Sequence, residues 1–367
     1  MFLRSRRDRK PACPDWQSAA SITARTVSRA RHGFDMHAHT NILLIRLKSI
    51  GDILFTLPAV HRIRENFPEV KISFLVSKEH APLLEGFRDV NEVLTLDRAL
   101  YRRGSPKSIV METLALVRRI RRGKFSLAVD FQGYGETGLI AWCTRAPERW
   151  GSVYKAVRGW TYTRRLMRND AIHPVEWNLS LLQQCGLHGG SIQNEFVLPD
   201  GAAEEAHRLF VEHGLAVDSP TLFIQPFTSS PQKNWPLGNY VALARYWRDL
   251  GWQVIFGGGP NERDALEPVR QAGFPLFAGT PLLVSAGLTN LCTLVLGGDT
   301  GLLHLAVAMN KRVVMIMESI APGSTHPFQH QDWAVTPLSG RNVAGIGVEP
   351  VIEACARAMA EVCPEHT

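Results

Sequence analysis

Residues 294–308 read LVLGGDTGLLHLAVA: an apolar run, a glycine-rich turn and a second apolar segment. The first run ends in Gly297 and Gly298, and Asp299, Thr300 and Gly301 follow before the second segment begins. This pattern predicts a buried strand that turns into a helix at the carboxyl edge of a parallel sheet. Glycines in such a turn let the chain bend sharply and let a ligand approach the backbone closely.

The start of the predicted helix has the properties of an anion site. The first N–H groups of a helix have no partner within it, and the helix dipole favours negative charge beside them. A diphosphate suits these properties. A tight strand-to-helix turn closed by an N-cap residue, with no ligand, explains the same residues. The stretch alone leaves both interpretations open, and the rest of the chain has to decide between them.

The size of the chain favours two domains. It has 367 residues, of which 45% are hydrophobic and 20% charged, as is typical of a soluble globular protein. No apolar run approaches the roughly 18 residues of a membrane span. The N-terminal region also lacks the apolar core of a secretory signal. We therefore expect a soluble protein with two α/β units.

The cysteines and histidines form no pattern typical of a metal site. The six cysteines are scattered without a C-x-x-C pair, and the thirteen histidines form no H-E-x-x-H motif. Scattered single cysteines are typical of reduced, structural thiols in a cytosolic protein. The sequence therefore predicts a cytoplasmic protein without a metal site.

The positive charge of the chain is concentrated near its N-terminus. The whole sequence has a formal net charge of +7. Residues 1–35 contain eight Arg and Lys against three Asp, which gives +5 and leaves +2 for the remainder. This distribution argues against nucleic-acid binding by the folded part. Residues 1–39, rich in Arg and Ser and without periodicity, are predicted to form a basic, disordered arm.

Strand and helix patterns alternate along both halves of the chain. The first half predicts strands at residues 41–47, 70–76, 90–96 and 125–130, and helices at 53–67, 80–87, 108–122 and 173–187. The second half predicts strands at residues 221–225, 252–256, 275–277, 291–296 and 313–317, and helices at 202–213, 237–250 and 350–362. Each β-α-β order predicts a parallel sheet with right-handed crossovers, and two such halves imply a cleft between them.

Two segments of the first half are rich in arginine. The predicted helix over residues 108–122 ends in an arginine cluster, which suits a helix C-terminus and also suits contact with an anionic membrane surface. Residues 145–168 combine Arg and Lys with Trp and Tyr. This second segment is either a solvated face or a basic, aromatic wall for a phosphorylated saccharide acceptor.

Several short motifs, in this order and spacing, resemble those of a known family. They are RLKSIGD (residues 46–52), LPA (57–59), DFQG (130–133), KNWP (233–236), GGPNE (258–262) and DTGLLHLA (299–306). Together they resemble the ADP-heptose:lipopolysaccharide heptosyltransferases of glycosyltransferase family 9, over about residues 40–330. The first and last motifs are fairly specific in combination, whereas each alone would be weak.

The resemblance implies a GT-B architecture, in which two Rossmann-like domains face a central cleft. We expect an acceptor-binding domain over residues 40–200 and a nucleotide-sugar-binding domain over residues 201–348. A C-terminal helix within residues 349–367 is expected to pack back on the first domain. The family also implies inverting transfer of a heptose from ADP-heptose to a lipopolysaccharide inner-core acceptor, without a metal or a cofactor.

The same resemblance implies the partners of the protein. They are the nucleotide-sugar donor and an acceptor that is lipid A–Kdo or a heptosylated core. We expect a monomer in the cytoplasm that contacts the inner membrane surface peripherally, and no nucleic-acid partner.

The resemblance also assigns roles to individual residues. Asp52 matches the family's catalytic carboxylate, which as a base takes the proton of the acceptor hydroxyl. Lys233 matches the family's phosphate lysine, a cation for the charge that develops on the leaving diphosphate. The residues assigned to donor binding are Thr228, Ser229, Lys233, Glu262, Asp299, Thr300, Gly301, Leu302 and His304. Those assigned to acceptor binding are Lys48, Ser49, Gly51, Gln132 and Gly133.

Some of these residues also have purely structural interpretations. Asp52 could cap a helix, and His304 could be a packed histidine on a helix face. For two other residues the resemblance implies only a functional role. It places Glu262 at the ribose hydroxyls of the donor and Asp299 at the transferred sugar. The structural alternatives stay open until the side chains are placed in three dimensions.

One segment departs from the family pattern. After its last strand the family usually has Gly-x-Thr-x-Pro, whereas this chain has ESIAP at residues 318–322. Glu318 puts an acidic residue close to the expected sugar and phosphates, which is compatible with a divergent member that uses a related heptose or another nucleotide sugar as donor. A nucleotide-binding protein without transferase activity is a further alternative. An oxidoreductase is disfavoured, because no G-x-G-x-x-G motif is present.

Overall fold

The computed structural model describes residues 39–340 and 342–362. These residues belong to one compact unit, Ala38–Thr367. The predicted basic arm, apart from His39, lies outside the described residues.

The first half of the described chain forms a parallel sheet of six strands. The strands are β1 (Asn41–Ile45), β2 (Lys71–Ser77), β3 (Glu92–Leu96), β4 (Leu127–Asp130), β5 (Glu148–Val153) and β6 (Arg164–Met167). Its α-helices are α1 (Ile50–Leu54), α2 (Leu57–Asn66), α3 (Arg98–Arg103), α4 (Pro106–Arg122), α5 (Gly135–Cys143) and α6 (Pro174–Gln184). The last four residues of β1 are fully buried, as expected of a central strand covered on both faces.

The second half forms another parallel sheet of six strands. Its α-helices are α7 (Asp200–Glu212), α8 (Leu237–Asp249), α9 (Glu267–Gln271), α10 (Leu282–Leu291), α11 (Gly301–Ala308) and α12 (Val348–Val362). Its strands are β7 (Thr221–Gln225), β8 (Gln253–Gly258), β9 (Leu276–Ala278), β10 (Leu294–Gly298), β11 (Val313–Ile316) and β12 (Ala334–Val335). The predicted strand-turn-helix of residues 294–308 is thus β10 followed by α11.

Both sheets have the same doubly wound order. The strands run β3-β2-β1-β4-β5-β6 in the first sheet and β12-β11-β10-β7-β8-β9 in the second. The direction of the connections reverses at the central pairs, β1 with β4 and β7 with β10. Ligands bind beyond the carboxyl ends of such pairs. The prediction of two Rossmann-like α/β halves is therefore confirmed.

The predicted helix over residues 53–67 is two helices in the structure. α1 ends at Leu54, and α2 begins at Leu57. Pro58 lies in the first turn of α2, where its missing N–H costs no hydrogen bond. Apolar residues continue through the break, and for this reason the periodicity predicted one helix.

The arginine-rich segment of residues 145–168 contributes two strands, β5 and β6, that complete the first sheet. Trp150 in β5 is fully buried. Arg149 donates a hydrogen bond to the carbonyl of Thr161 at 2.8 Å, and Arg164 to that of Cys185 at 3.0 Å. Arg149 and Arg164 therefore have a structural role, because they bind backbone carbonyls of neighbouring segments. The sequence interpretations, a solvated face or an acceptor wall, did not include this role.

The C-terminal helix α12 packs on the second sheet, so the expectation that it packs back on the first half is wrong. Val351, Cys355 and Ala358 are buried in the core of the second half, together with Tyr240. The helix contacts α8, β10 and β11. Its apolar stripe covers one face of the second sheet, which would otherwise expose these strands to water.

The two halves meet where α1 contacts α11. A Cβ atom added to Gly301 would lie 2.5 Å from Cγ2 of Ile50, so a glycine is required for this approach. Phe55, just after α1, packs edge to face on His304 with ring centroids 4.8 Å apart. This contact places the end of β1 opposite the end of β10.

Candidate active site

A cavity of about 640 Å³ lies between the two halves at the carboxyl ends of the central strands. The structure brings twelve of the fifteen predicted site residues into its lining. These are Ser49, Gly51, Asp52, Thr228, Ser229, Lys233, Glu262, Asp299, Thr300, Gly301, Leu302 and His304. The cavity is therefore the candidate site, and doubly wound sheets bind ligands at this place.

Asp52 enters the cavity from the first half. Ser49 is the N-cap of α1, and Asp52 lies in the first turn. The Asp52 Oδ2 atom accepts hydrogen bonds from N and Oγ of Ser49, both at 3.3 Å. The side chain of Asp52 is 36% exposed, which leaves it accessible to a ligand. Asp52 is therefore not the N-cap that the structural interpretation proposed; it accepts a hydrogen bond from N of the N-cap Ser49 and also faces the cavity.

Arg46 holds Asp52 in place. A guanidinium nitrogen of Arg46 lies 2.6 Å from Oδ2 of Asp52. The same side chain donates hydrogen bonds to the carbonyls of Lys48 at 3.0 Å and Phe131 at 2.9 Å. Its position is therefore fixed by the backbone of two loops. Sequence reasoning missed this role of Arg46, although a charged residue within the otherwise apolar run of residues 41–47 was a signal for it.

Asp299, directly after β10, is the centre of a hydrogen-bond network in the second half. Its Oδ1 atom lies 3.0 Å from Nε2 of His304. Its Oδ2 atom accepts hydrogen bonds from Nζ of Lys233 and Oγ1 of Thr325, each at 3.0 Å. These three protein partners support a positioning role for Asp299, whereas the sequence prediction placed it on the sugar.

The surroundings of Asp299 keep it ionised. Burial acts to raise the pKa of this carboxyl, but the hydrogen bonds and charges of His304 and Lys233 outweigh burial and hold the pKa well below its usual range. The ring of His304 is nearly buried, packs on Phe55 and lies 3.0 Å from Asp299. His304 is therefore both a packed histidine and a partner of Asp299. The network fixes the ammonium group of Lys233 at the cavity wall.

The beginning of α11 supplies neutral donors beside Lys233. Thr300 is the N-cap, and its Oγ1 atom accepts a hydrogen bond from N of Leu303 at 3.4 Å. The loop after β7 brings Thr228 and Ser229 to the same place. A Cβ atom on Gly298 would lie 2.4 Å from Cγ2 of Thr228, so this glycine lets the loop pack against β10. A cation, hydroxyl groups and a helix N-terminus together make an anion site.

Glu262 lies in the lining beyond β8. Its Oε2 atom accepts a hydrogen bond from N of Gly259 at 2.6 Å. Within the described residues this is the one hydrogen bond to its carboxylate, so Oε1 is available to a ligand. In the order of the second sheet, β8 lies two strands from β10. Glu262 is therefore separated from Asp299 along the cavity.

Lys48, Gln132 and Gly133 are outside the lining of the cavity. Gln132 accepts a hydrogen bond from N of Leu47 at 2.8 Å. Gly133 has a φ of 72°, and a Cβ atom there would lie 2.0 Å from the carbonyl oxygen of Ser152. These contacts order the loop after β4, and acceptor binding by the three residues stays a prediction.

Thr325 is a site residue that the sequence did not predict. It lies 26 residues after Asp299, in an irregular segment beyond β11, yet its hydroxyl binds that carboxylate. No local pattern marks it, because its role depends on a contact between residues that are distant along the chain.

The described residues contain neither a helix able to cross a membrane nor a metal-binding cluster. None of their helices is both long and apolar enough to cross a bilayer. No group of three or more His, Cys, Asp or Glu among them is arranged to hold a metal ion. The described cysteines, Cys143, Cys185, Cys292 and Cys355, are free thiols.

Comparison with known proteins identifies the family. The family model for glycosyltransferase family 9 (heptosyltransferase) matches residues 113–341, more than half of the chain. The protein therefore belongs to glycosyltransferase family 9. Over 350 residues it is 23% identical to the lipopolysaccharide core heptosyltransferase OpsX of Haemophilus influenzae, a match that covers 86% of this chain and 96% of that protein.

Solved structures have the same fold. A glycosyltransferase family 9 protein from Veillonella parvula matches with a TM-score of 0.78 and 19% identity, covering 88% of this chain and 97% of that one. The ADP-heptose lipopolysaccharide heptosyltransferase II of E. coli matches with a TM-score of 0.73 and 19% identity, covering 88% and 99%. The predicted GT-B fold is confirmed.

Proposed function

We propose that this protein is an inverting glycosyltransferase that transfers a heptose from ADP-heptose to an inner-core acceptor of lipopolysaccharide. The observation that carries the proposal is one cavity lined by Asp52 from the first half and by the Lys233–Asp299 pair from the second. A base opposite an anion site suits the displacement of a nucleoside diphosphate by a hydroxyl group. The names of the relatives, which are heptosyltransferases, support heptose as the transferred sugar.

In the proposed reaction Asp52 takes the proton of the acceptor hydroxyl while that oxygen bonds to the anomeric carbon. The bond from this carbon to the phosphate oxygen breaks on the opposite face, so the configuration inverts. The leaving nucleoside diphosphate keeps the electron pair, and Lys233 with the start of α11 stabilises its charge. Arg46 keeps the Asp52 carboxylate in position through its 2.6 Å contact.

The strand order supports one orientation of the donor. Glu262 follows β8, whereas Asp299 follows β10, and β7 with Thr228 and Ser229 beyond it lies between them. An acidic residue suits the hydroxyl groups of a ribose. We therefore orient the nucleoside towards Glu262 and the diphosphate towards Lys233, with the sugar next to Asp52 and Asp299.

The surface beside α5 supports contact with a lipid-linked acceptor. Trp142 and Trp160 are 49% and 60% exposed and pack edge to face, with ring centroids 5.9 Å apart. Arg98, Arg102 and Leu139 line the apolar groove of about 490 Å³ next to them. Exposed tryptophans beside arginines suit the interface of an anionic membrane. We infer that the protein acts as a monomer at the cytoplasmic face of the inner membrane, on lipid A–Kdo or a heptosylated core.

A transfer assay tests the proposed function. The full chain is incubated with ADP-heptose and Kdo–lipid A, and ADP release and product mass are measured. We expect ADP release that requires both substrates and a product heavier by one heptose. Turnover with a UDP- or GDP-sugar instead would favour the alternative donor that Glu318 suggests. Thermal stabilisation by ADP without turnover of any sugar would favour a non-catalytic nucleotide-binding protein.

A further inference from the structure

A second cavity of about 240 Å³ adjoins the first. Lys233, Asp299 and Thr325 line both cavities. The remaining wall is Ile316 at the end of β11 and the segment that follows it. β10 and β11 are neighbours in register, with Gly298 paired to Ile316. The residues that follow these two strands therefore emerge side by side at one edge of the sheet. This arrangement places the segment after β11 against the anion site.

Glu318 is the carboxylate in the second cavity that has no bonding partner among the described residues. It is partly buried and lines the cavity, and within the described residues it has no hydrogen bond or ion pair. Asp299, in contrast, already has Lys233, His304 and Thr325 as partners. An ionised carboxylate accepts about four hydrogen bonds. Both carboxylate oxygens of Glu318 are therefore available to accept hydrogen bonds from a ligand.

The charge of Glu318 limits which part of a donor can occupy the second cavity. A phosphate beside this carboxylate would be repelled, and the one lysine of the lining, Lys233, is paired with Asp299 at 3.0 Å. Phosphate groups are better placed in the larger cavity, at the start of α11 and the hydroxyls of Thr228 and Ser229. The uncharged, hydroxyl-rich sugar is the part of the donor that suits the junction of the two cavities at Asp299, with its anomeric carbon on the side of Asp52 and its hydroxyl groups towards Glu318.

We propose that Glu318 is a specificity-determining residue that binds the transferred sugar by accepting hydrogen bonds from two neighbouring hydroxyl groups. The inference rests on the proposed function, because it needs a nucleotide sugar in the adjoining cavity. Hydrogen bonds to a charged acceptor are strong, so this contact selects for sugars that present the hydroxyl pair. It also selects against acidic sugars such as uronic acids, whose carboxylate would meet that of Glu318.

The experiment separates binding of the sugar from binding of the nucleotide. Full-length wild type and Glu318→Gln are titrated calorimetrically with ADP-heptose and, separately, with ADP. We expect the Kd for ADP-heptose to rise about tenfold or more in the variant, while the Kd for ADP stays within about twofold. Glu204→Gln, on the exposed side of α7, is the matched control and should change neither value.

The outcomes distinguish this inference from the proposed function. Unchanged affinity for ADP-heptose in Glu318→Gln, or an equal loss for ADP and ADP-heptose, would overturn the role of Glu318 alone. If the wild type prefers UDP-glucose or GDP-mannose, wild type and Glu318→Gln are compared with that sugar donor and with UDP or GDP instead. A selective loss of affinity for the sugar donor is again the expected result. A wild type that binds none of these nucleotides would reject the proposed function and this inference with it.

Discussion

At the scale of residues, the site depends on two carboxylates with different surroundings. Asp52 is partly exposed at the cavity and is held by Arg46 and Ser49. Asp299 is largely buried, with a cation, a histidine and a hydroxyl group on its two oxygens. Asp52 can accept a proton from a ligand, whereas Asp299 is a fixed anion that orients Lys233. The two aspartates therefore have separate roles, and their substitution should have separate effects.

Asp52→Asn should remove turnover while leaving donor binding intact. The amide keeps the shape of the carboxylate but cannot take a proton, so we expect kcat to fall by about 10²- to 10⁴-fold. The Kd for ADP-heptose, measured by calorimetry, should stay within about twofold. Asp218→Asn, in an exposed loop, is the control with unchanged kcat. Transfer at the wild-type rate by Asp52→Asn would refute the base assignment.

Lys233→Ala should weaken binding of the nucleoside diphosphate itself. Loss of a charged hydrogen bond to phosphate should raise the Kd for ADP by about 10- to 100-fold in calorimetric titrations. Lys107→Ala, an exposed residue at the start of α4, should leave the Kd as in the wild type. An unchanged Kd in Lys233→Ala would contradict the phosphate role.

At the scale of elements, the site depends on the close contact of α1 with α11. Each of these short helices follows a central strand, β1 or β10, and brings a site residue with it. Gly301 and Ile50 are in contact between the halves, so their packing sets the distance across the cavity. A side chain at this glycine should therefore disturb stability and binding together.

Gly301→Ala should destabilise the protein by overpacking. The new Cβ atom would lie 2.5 Å from Ile50, and we expect the free energy of unfolding, measured in urea, to fall by about 1–3 kcal/mol. The matched control is Gly238→Ala in α8, where a Cβ atom meets nothing within 4 Å. The control should be neutral or stabilising by up to about 1 kcal/mol. Equal stability of the two variants would show that the helices separate without cost.

At the scale of the whole molecule, a buried histidine connects the two halves. His173 accepts a hydrogen bond at Nδ1 from N of Val175, and its Nε2 atom lies 3.2 Å from the carbonyl oxygen of His326 in the second half. Its ring packs between Phe55 and Phe328, with centroids 5.1 Å from each. Burial above all, and then the neighbouring His326, lower the pKa of His173 to about 4.

The lowered pKa of His173 predicts a loss of stability in acid. Between the usual pKa of 6.5 and about 4, the unfolded chain binds a proton that the folded protein does not. The free energy of unfolding therefore falls as the pH falls through this window, by up to about 3 kcal/mol from this group. His173→Asn, which retains a capping side chain but does not titrate there, should show a shallower decline in urea unfolding between pH 4 and 7.

His207→Gln, at an exposed position of α7, is the control for this prediction and should follow the wild-type pH profile. The ionisable groups that act electrostatically on His173 are His326 and His304. They are retained in both variants, so the difference between the profiles reports His173. Parallel profiles for His173→Asn and the wild type would contradict the assignment.

The sequence by itself determined the positions of the motifs and nine of the twelve described strands, all but β5, β6 and β12. β7 has its predicted bounds, and residues 294–308 are the predicted strand, turn and helix. Strand and helix periods, glycines and helix starts are local properties of a chain, and for this reason they are readable without the fold. The family motifs are local patterns too, and most of the site residues that they predicted line the candidate cavity.

Only the tertiary structure decided which of these residues meet. It placed Arg46 on Asp52 and Thr325 on Asp299, and it bound Gln132 to the backbone N of Leu47, outside the lining of the cavity. It also placed α12 on the second sheet. These outcomes depend on side-chain packing and hydrogen bonds between segments that are far apart along the chain, and no local pattern carries that information.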